Sequence, residues 1–202
     1  YFFSGYDSDS LALDSVTEFV GSFVPLLRRY EQAWLELCTK SVVIRPLLKL
    51  EPQPRCVVAY SMTPDPIARA LEHKAPPIQQ RIQAMTQLAE AGWPLGLRFD
   101  PLVFHEGYQE TYAALFDAVF KALPAEAIHS VSLGPLRFPK AMAKRIMKLY
   151  PEEKLFAGPL VREGGVVSYT AELERELGEY CMNVLRNYVP ESLFFRCTPE
   201  TL

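Results

Sequence analysis

Apolar and polar positions along the chain change period at regular intervals. Val16, Phe19, Val20, Phe23, Val24 and Leu27 recur at three- and four-residue spacing, which predicts a helix opened by a capping box of Ser15 and Glu18 and perturbed by Gly21 and Pro25. The compact apolar runs Ala33 to Cys38 and Arg55 to Ser61 predict two strands. Helical spacing returns at Ile78, Ile82, Met85 and Ala89, and Gly92 and Pro94 stop it. Leu95 to Phe99 then predicts a short strand. Tyr112, Leu115, Phe116 and Val119 predict a helix ended by Pro124, Ile128 to Leu133 a strand, and Met142, Ile146 and Leu149 a helix closed by Pro151. With one more strand beginning at Tyr1, about five strands precede residue 135.

Strands that alternate with helices in this way predict a parallel sheet, because parallel neighbours need helical returns. A closed eight-fold barrel usually takes about 250 residues, so residues 1–150 are expected to form a partial barrel or open curved sheet. The pattern changes after Lys154. Arg162 to Val167 predicts a hairpin tip, Leu173, Leu177, Cys181 and Val184 a helix, and Ser192 to Cys197 a last strand, so 151–202 is an extension of the single domain 1–202.

Composition narrows the functional classes. A chain 49% apolar and 22% charged is ordinary globular material, and its net charge of -3 supplies no global field for nucleic acid, so any polyanion must be recognised locally. No apolar run approaches the about 20 residues needed to cross a bilayer, and Tyr1 to Gly5 lacks the features of a secretory signal. Cys38, Cys56, Cys181 and Cys197 are too scattered for a zinc or iron-sulfur motif and are expected to be reduced thiols of a cytoplasmic protein. The absence of an initial Met suggests that a segment precedes Tyr1.

Parallel α/β folds bind ligands at the carboxyl ends of their strands. The predicted strands end at Ser4 to Asp9, Thr39-Lys40, Ser61, Asp100 and Gly134 to Arg137. Lysine, serine, aspartate and arginine on one rim suit an anionic or zwitterionic small ligand: cations for a carboxylate, hydroxyls and carboxylates for an amine or ribose. A polar residue where a strand meets water is unremarkable by itself, but a solvated lysine more often lies on a helix face than at the end of an apolar strand, which singles out Lys40. His105 and Glu106 follow Asp100 closely, as a general acid/base pair, as metal ligands or as ordinary loop residues. Lys140, Lys144, Arg145 and Lys148 are spaced as the solvated face of an amphipathic helix. There is no nucleophile elbow, phosphate loop or dinucleotide fingerprint.

Taken in order, several segments resemble the spore photoproduct lyase family of radical S-adenosylmethionine (SAM) enzymes. They are Asp7 to Thr17, Thr39-Lys40-Ser41, Ala59-Tyr60-Ser61, Arg81 through Ala91 to Leu97, Asp100 to Tyr108, Leu136-Arg137-Phe138 and Lys144 to Pro151. The resemblance implies a partial (β/α)6 barrel. It also implies a [4Fe-4S] cluster served by an electron donor, and SAM cleavage to a radical that abstracts hydrogen, with a thymine dimer in DNA as the substrate in the lyase itself. By matching position, Ser8, Lys40 and Ser61 are implied SAM contacts, and Asp9, Asp100, His105, Glu106 and Arg137 remain rim candidates. Three departures stand out. The CxxxCxxC loop of the family is absent from the chain as given and is expected upstream of Tyr1; Tyr6 stands where the lyase has its hydrogen-donating cysteine; and the DNA-binding hairpin is represented by the nearly neutral Arg162 to Tyr169. The competing expectations are a cluster-less domain that binds a SAM-like ligand or serves as a scaffold, and an unrelated barrel enzyme using Asp100, His105 and Glu106.

Overall fold

The computed structural model describes residues 1–5 and 8–196, the side chain of Arg196 excepted. The elements are β1 (Phe2–Ser4), α1 (Asp14–Thr17), α2 (Phe19–Phe23), β2 (Leu35–Thr39), α3 (Arg45–Leu48), β3 (Cys56–Ser61), α4 (Asp65–Leu71) and α5 (Ile78–Glu90). After these come β4 (Leu95–Leu102), α6 (Tyr108–Ala122), β5 (Ile128–Pro135), β6 (Arg137–Pro139), α7 (Lys140–Leu149), β7 (Leu160–Glu163), β8 (Val166–Tyr169), α8 (Ala171–Leu185) and β9 (Phe194–Arg196). The main sheet has the order β1-β2-β3-β4-β5-β9, and all of its pairings are parallel. This is the expected mostly parallel α/β sheet of the partial barrel.

The two faces of that sheet differ in kind, because successive side chains of a strand point to opposite sides. Leu35 and Leu37 of β2, Val58 and Tyr60 of β3, Leu95, Leu97 and Phe99 of β4 and Val131 of β5 join one apolar cluster with Ile82 and Met85 of α5, Tyr112 and Phe116 of α6 and Leu177 of α8. Phe99 meets Phe116 edge to face at 4.9 Å, and burying each such side chain contributes about 1.5–3 kcal/mol relative to leaving it exposed. The intervening residues Glu36, Ala59, Gly96, Arg98, Ser130 and Ser132 are small, polar or charged, and they line the opposite face. The helix-facing layer therefore holds the fold together, and the other face is left for chemistry.

Three local differences from the sequence reading have physical causes. The helix expected over Val16 to Leu27 is broken at Glu18, whose φ of 50° is left-handed; the segment continues as α2 and a 3-10 helix over Val24–Arg29. Ser15 consequently lies inside α1 and makes no capping box, and Leu13 is the residue before the helix. β4 runs past Phe99 to Leu102 through a bulge, since Phe99 pairs with Leu133 and Leu102 with Pro135. Arg137 is not at the end of β5 either; it begins β6, which pairs with the β7–β8 hairpin in a small antiparallel sheet of order β6-β8-β7. The hairpin itself is as expected, with Gly164 and Gly165 at φ of 53° and 84°, the two positive values a tight primed turn requires. Among the described residues no helix is long and apolar enough to cross a membrane.

Candidate functional site

The polar face of the sheet has a closed floor. Arg98 donates from Nε and Nη2 to the two carboxylate oxygens of Glu36, both at 2.8 Å, and also to the Leu97 and Ser130 carbonyls at 3.2 Å and to Ser130 Oγ at 3.0 Å. Its guanidinium lies 4.6 Å from the centre of the Phe195 ring. Gly96 makes room for it: a Cβ there would come within 2.7 Å of Arg98 Nη2. Tyr1 donates to Glu36 at 3.2 Å, and burial with the Glu36 charge pushes the Tyr1 phenol up to about 12. His129 packs 5.1 Å from Trp34, and burial lowers its ring below the usual imidazole range, reinforced by the Arg98 charge. Sequence reasoning missed this cluster. Only a charged residue in the middle of each of two apolar strands could have signalled it.

At the carboxyl end, Asp9 ties the loop after β1 to the end of β2. Its Oδ1 accepts from the Leu11 and Ala12 amides at 2.9 Å and from Thr39 Oγ1 at 2.7 Å, and its Oδ2 accepts from the Lys40 amide at 2.7 Å. Four donors on one carboxylate make Asp9 a brace that orients Lys40. Ser8 is exposed in the same loop. Tyr6 lies outside the described residues.

Thr39 pairs with Tyr60 across β2 and β3, so Lys40 and Ser61, each the next residue, are side by side at the rim. A carboxylate network joins them. Glu72, just past α4, sits 3.7 Å from Lys40 Nζ, accepts from Thr63 Oγ1 at 3.2 Å and pairs closely with Arg81. Arg81 is 1% exposed and donates to the Ser61 carbonyl at 3.0 Å and the Pro76 carbonyl at 2.9 Å. Glu72 is thus committed to the buried Arg81 and touches the half-buried Lys40 only loosely. Lys40 borders a groove of about 450 Å³ shared with His73, Phe138, Tyr150 and Phe156. The Ser61 hydroxyl has no hydrogen-bond partner among the described residues.

The other rim candidates separate. Asp100 stands in the β4 bulge with its carboxylate over Gly134. His105 is engaged at both ring nitrogens, Nδ1 with the Val103 carbonyl at 3.1 Å and Nε2 with Thr111 Oγ1 at 2.8 Å, while Glu106 is exposed. That histidine anchors the start of α6, and the structure does not bring it together with Asp100 and Glu106 as an acid/base set. Arg137 is exposed and faces Glu174 of α8 at 3.8 Å. The basic residues of α7, Lys140, Lys144, Arg145 and Lys148, are exposed, as a solvated face requires. Among the described residues no three His, Cys, Asp or Glu side chains gather to hold a metal ion.

The family model described as "Spore photoproduct lyase" matches residues 2–171. The spore photoproduct lyase of Bacillus subtilis (strain 168) is 29% identical over 150 residues, 73% of this chain and 44% of that protein. The spore photoproduct lyase of Geobacillus sp. (strain Y412MC61) is 22% identical over 194 residues, 92% of this chain and 57% of that protein. The chain spans about half the length of the curated relatives it matches. A solved spore photoproduct lyase variant with bound AdoMet and dinucleoside spore photoproduct has a TM-score of 0.83 at 20% identity, covering 96% of this chain and 59% of that one. Another, complexed with dinucleoside spore photoproduct, has a TM-score of 0.82 with the same identity and coverage. At this identity the likeness shows the fold.

Proposed function

We propose, for a chain that belongs to the spore photoproduct lyase family, that its barrel mouth binds SAM and serves a radical SAM enzyme acting on a photoproduct in DNA. The observation that carries this reading is the juxtaposition of Lys40 and Ser61 at the ends of adjacent parallel strands, with Lys40 held only loosely by Glu72 at 3.7 Å. Ammonium and hydroxyl side by side fit the α-carboxylate and neighbouring polar groups of an amino-acid ligand.

When bound beside a reduced [4Fe-4S] cluster, SAM supplies hydrogen-abstracting radical chemistry, which belongs to the cofactor rather than to the protein. The described residues offer no ligand set for such a cluster. What this chain contributes is binding and enclosure. Lys40 pairs with the carboxylate, the Asp9 brace fixes the Lys40 backbone, and Ser61 presents its hydroxyl. The Glu36–Arg98 pair closes the floor with side chains already satisfied by one another. Two solved relatives carry dinucleoside spore photoproduct, and that lesion class is the substrate this reading takes over. The hairpin here offers phosphates only Arg162, followed directly by Glu163, so duplex DNA is expected to be held weakly.

Lys40→Ala tests the reading. A hydrogen bond to a charged group is worth about 1.5–3 kcal/mol, so SAM affinity by calorimetry should fall about ten- to a hundredfold. Thermal stability should barely move, because the ion pair lost is long and partly exposed. Unchanged SAM affinity removes Lys40 from the site and the reading with it.

A further inference from the structure

We propose that α7 is a phosphate-contacting surface for the DNA strand that carries the photoproduct to the barrel mouth; this rests on the DNA-substrate reading above and names the surface that holds the strand. The charge of the chain is segregated. Residues 137–169, from β6 to the end of β8, carry seven basic and three acidic side chains, a net +4 in a chain whose total is -3. All other residues together therefore sum to -7. The centre of the positive module is α7, which holds Lys140, Lys144, Arg145 and Lys148 and no acidic residue.

Solvation explains why these four side chains are exposed but not why they share one sign. Arg69, Lys121 and Arg186, exposed on or beside other helices, meet Asp65 at 2.8 Å, Asp117 at 2.7 Å and Glu191 at 2.8 Å. Among the described residues the basic side chains of α7 have no hydrogen-bond or ion-pair partner. Lys140 and Lys144, and again Lys144 and Lys148, are like charges four residues apart, which repel across one helical turn. Lys140 also opens the helix, where the backbone dipole already presents positive charge and an acidic residue would be favourable. A helix that breaks these local rules, with no compensating group in the fold, points to a partner outside it. Charge complementarity makes that partner a polyanion.

The position of α7 favours a nucleic acid strand. The Lys140 amide donates to the Gly165 carbonyl of the hairpin turn at 2.9 Å, and Arg162 Nη2 lies 3.9 Å from Met147 Sδ, so α7 and the hairpin present one surface. On the inner side, Ile146 and, just past the helix, Tyr150 line the groove that reaches Lys40. Phe138 and Phe156 line it too, with ring centres 5.5 Å apart. Cations that follow phosphates, beside aromatic rings on which bases stack, are the usual means of holding a single strand. Met142 and Leu149 are exposed next to the basic residues, which makes an anionic membrane the rival occupant. The -7 of the remaining residues disfavours so broad a negative surface. A handful of phosphate contacts gives weak, salt-sensitive binding.

The test is fluorescence anisotropy of a labelled single-stranded DNA oligonucleotide with the 202-residue chain across a salt series. Each phosphate contact on a single strand contributes about 0.7 to the fall of log affinity with log salt. The unchanged protein should therefore show a slope of about -3. Combining Lys140→Gln, Lys144→Gln and Lys148→Gln should shrink the slope by about two and weaken binding at low salt by about tenfold or more. A control with the same loss of charge, combining Arg28→Gln, Arg69→Gln and Lys121→Gln, should keep the slope of the unchanged protein. All six residues are exposed, so circular dichroism should show both variants folded. An α7 variant that binds like the unchanged protein, or a control that loses as much, overturns the assignment. So does a chain that ignores the oligonucleotide at low salt, whether or not it binds phosphatidylserine vesicles through α7. Anisotropy needs no cofactor, so a chain that holds the strand through α7 but fails to bind SAM sinks the SAM reading and leaves this assignment standing.

Discussion

Replacing Arg98 with methionine removes the cation from the barrel floor while keeping an unbranched side chain of similar reach. The Arg98 side chain is 9% exposed and that of Glu36 2%, and their two hydrogen bonds are both 2.8 Å long. Glu36 would be left with the Tyr1 hydroxyl at 3.2 Å and the Cys38 thiol at 3.6 Å, which cannot replace a guanidinium. Ser130 would lose the donors to its carbonyl and hydroxyl. Removing one partner of a buried pair typically costs about 3–5 kcal/mol, whereas an exposed pair costs at most about 1 kcal/mol. For a domain of this size each kcal/mol lowers the midpoint by about 2–4 °C, so Arg98→Met should melt about 6–20 °C below the parent. Arg98→Met combined with Glu36→Met should recover most of that loss, because no uncompensated charge remains. Thermal and urea unfolding of the two single variants and the double variant measures the coupling. A loss below about 1 kcal/mol in Arg98→Met, or a double variant as unstable as the two losses added together, would refute the claim that the pair is a buried, mutually dependent unit.

Burial pushes the thiols of Cys56 and Cys181 up to about 12, so a thiol-titrating reagent at pH 8 should label neither until the protein unfolds; rapid native labelling of either would contradict their placement in the core. The His129 ring is lowered by burial and by the Arg98 charge, so on acidification the unfolded chain takes up that proton first. Stability is therefore level above about pH 6.5 and falls as the pH drops through the unfolded-state value toward the lower folded one. Melting temperature followed from pH 7.5 to 5.5 should show this decline, and His129→Gln should flatten it; an identical slope in the variant would discount His129. Arg162 is the basic residue of the β7–β8 hairpin, so Arg162→Ala should reduce the salt slope of duplex-DNA binding by no more than about one. Tight binding with a much steeper loss would give the hairpin a larger role.

The parts legible in the sequence were those that local pattern enforces. Apolar runs such as Cys56 to Ser61 and periodic stripes such as Ile78 to Ala89 appear within a residue or two of their expected places, since a buried strand or amphipathic helix admits few alternatives to its spacing. The short elements α3, α4 and β6 were not legible, having too few residues to display a period. The break at Glu18 escaped as well, because a left-handed glutamate carries no compositional mark.

The same division runs through the site. Sequence alone placed Lys40 and Ser61 at strand ends, and an order of strands and helices that makes those strands parallel brings the two together at one rim. Which carboxylates are free was decided only in three dimensions. Asp9 looked like a ligand residue and is occupied by four donors, two from its own loop and two from the end of β2 and the residue after it. Glu36 and Arg98, separated by 62 positions, meet because β2 and β4 flank β3 with their alternate residues on the same face. Among the described residues Asp100 has no hydrogen-bond or ion-pair partner, and a register shift and a glycine on the neighbouring strand leave its carboxylate space. Periodicity encodes which face a residue takes; its partner there depends on strand order, register and the size of neighbouring side chains, which are properties of the assembled sheet.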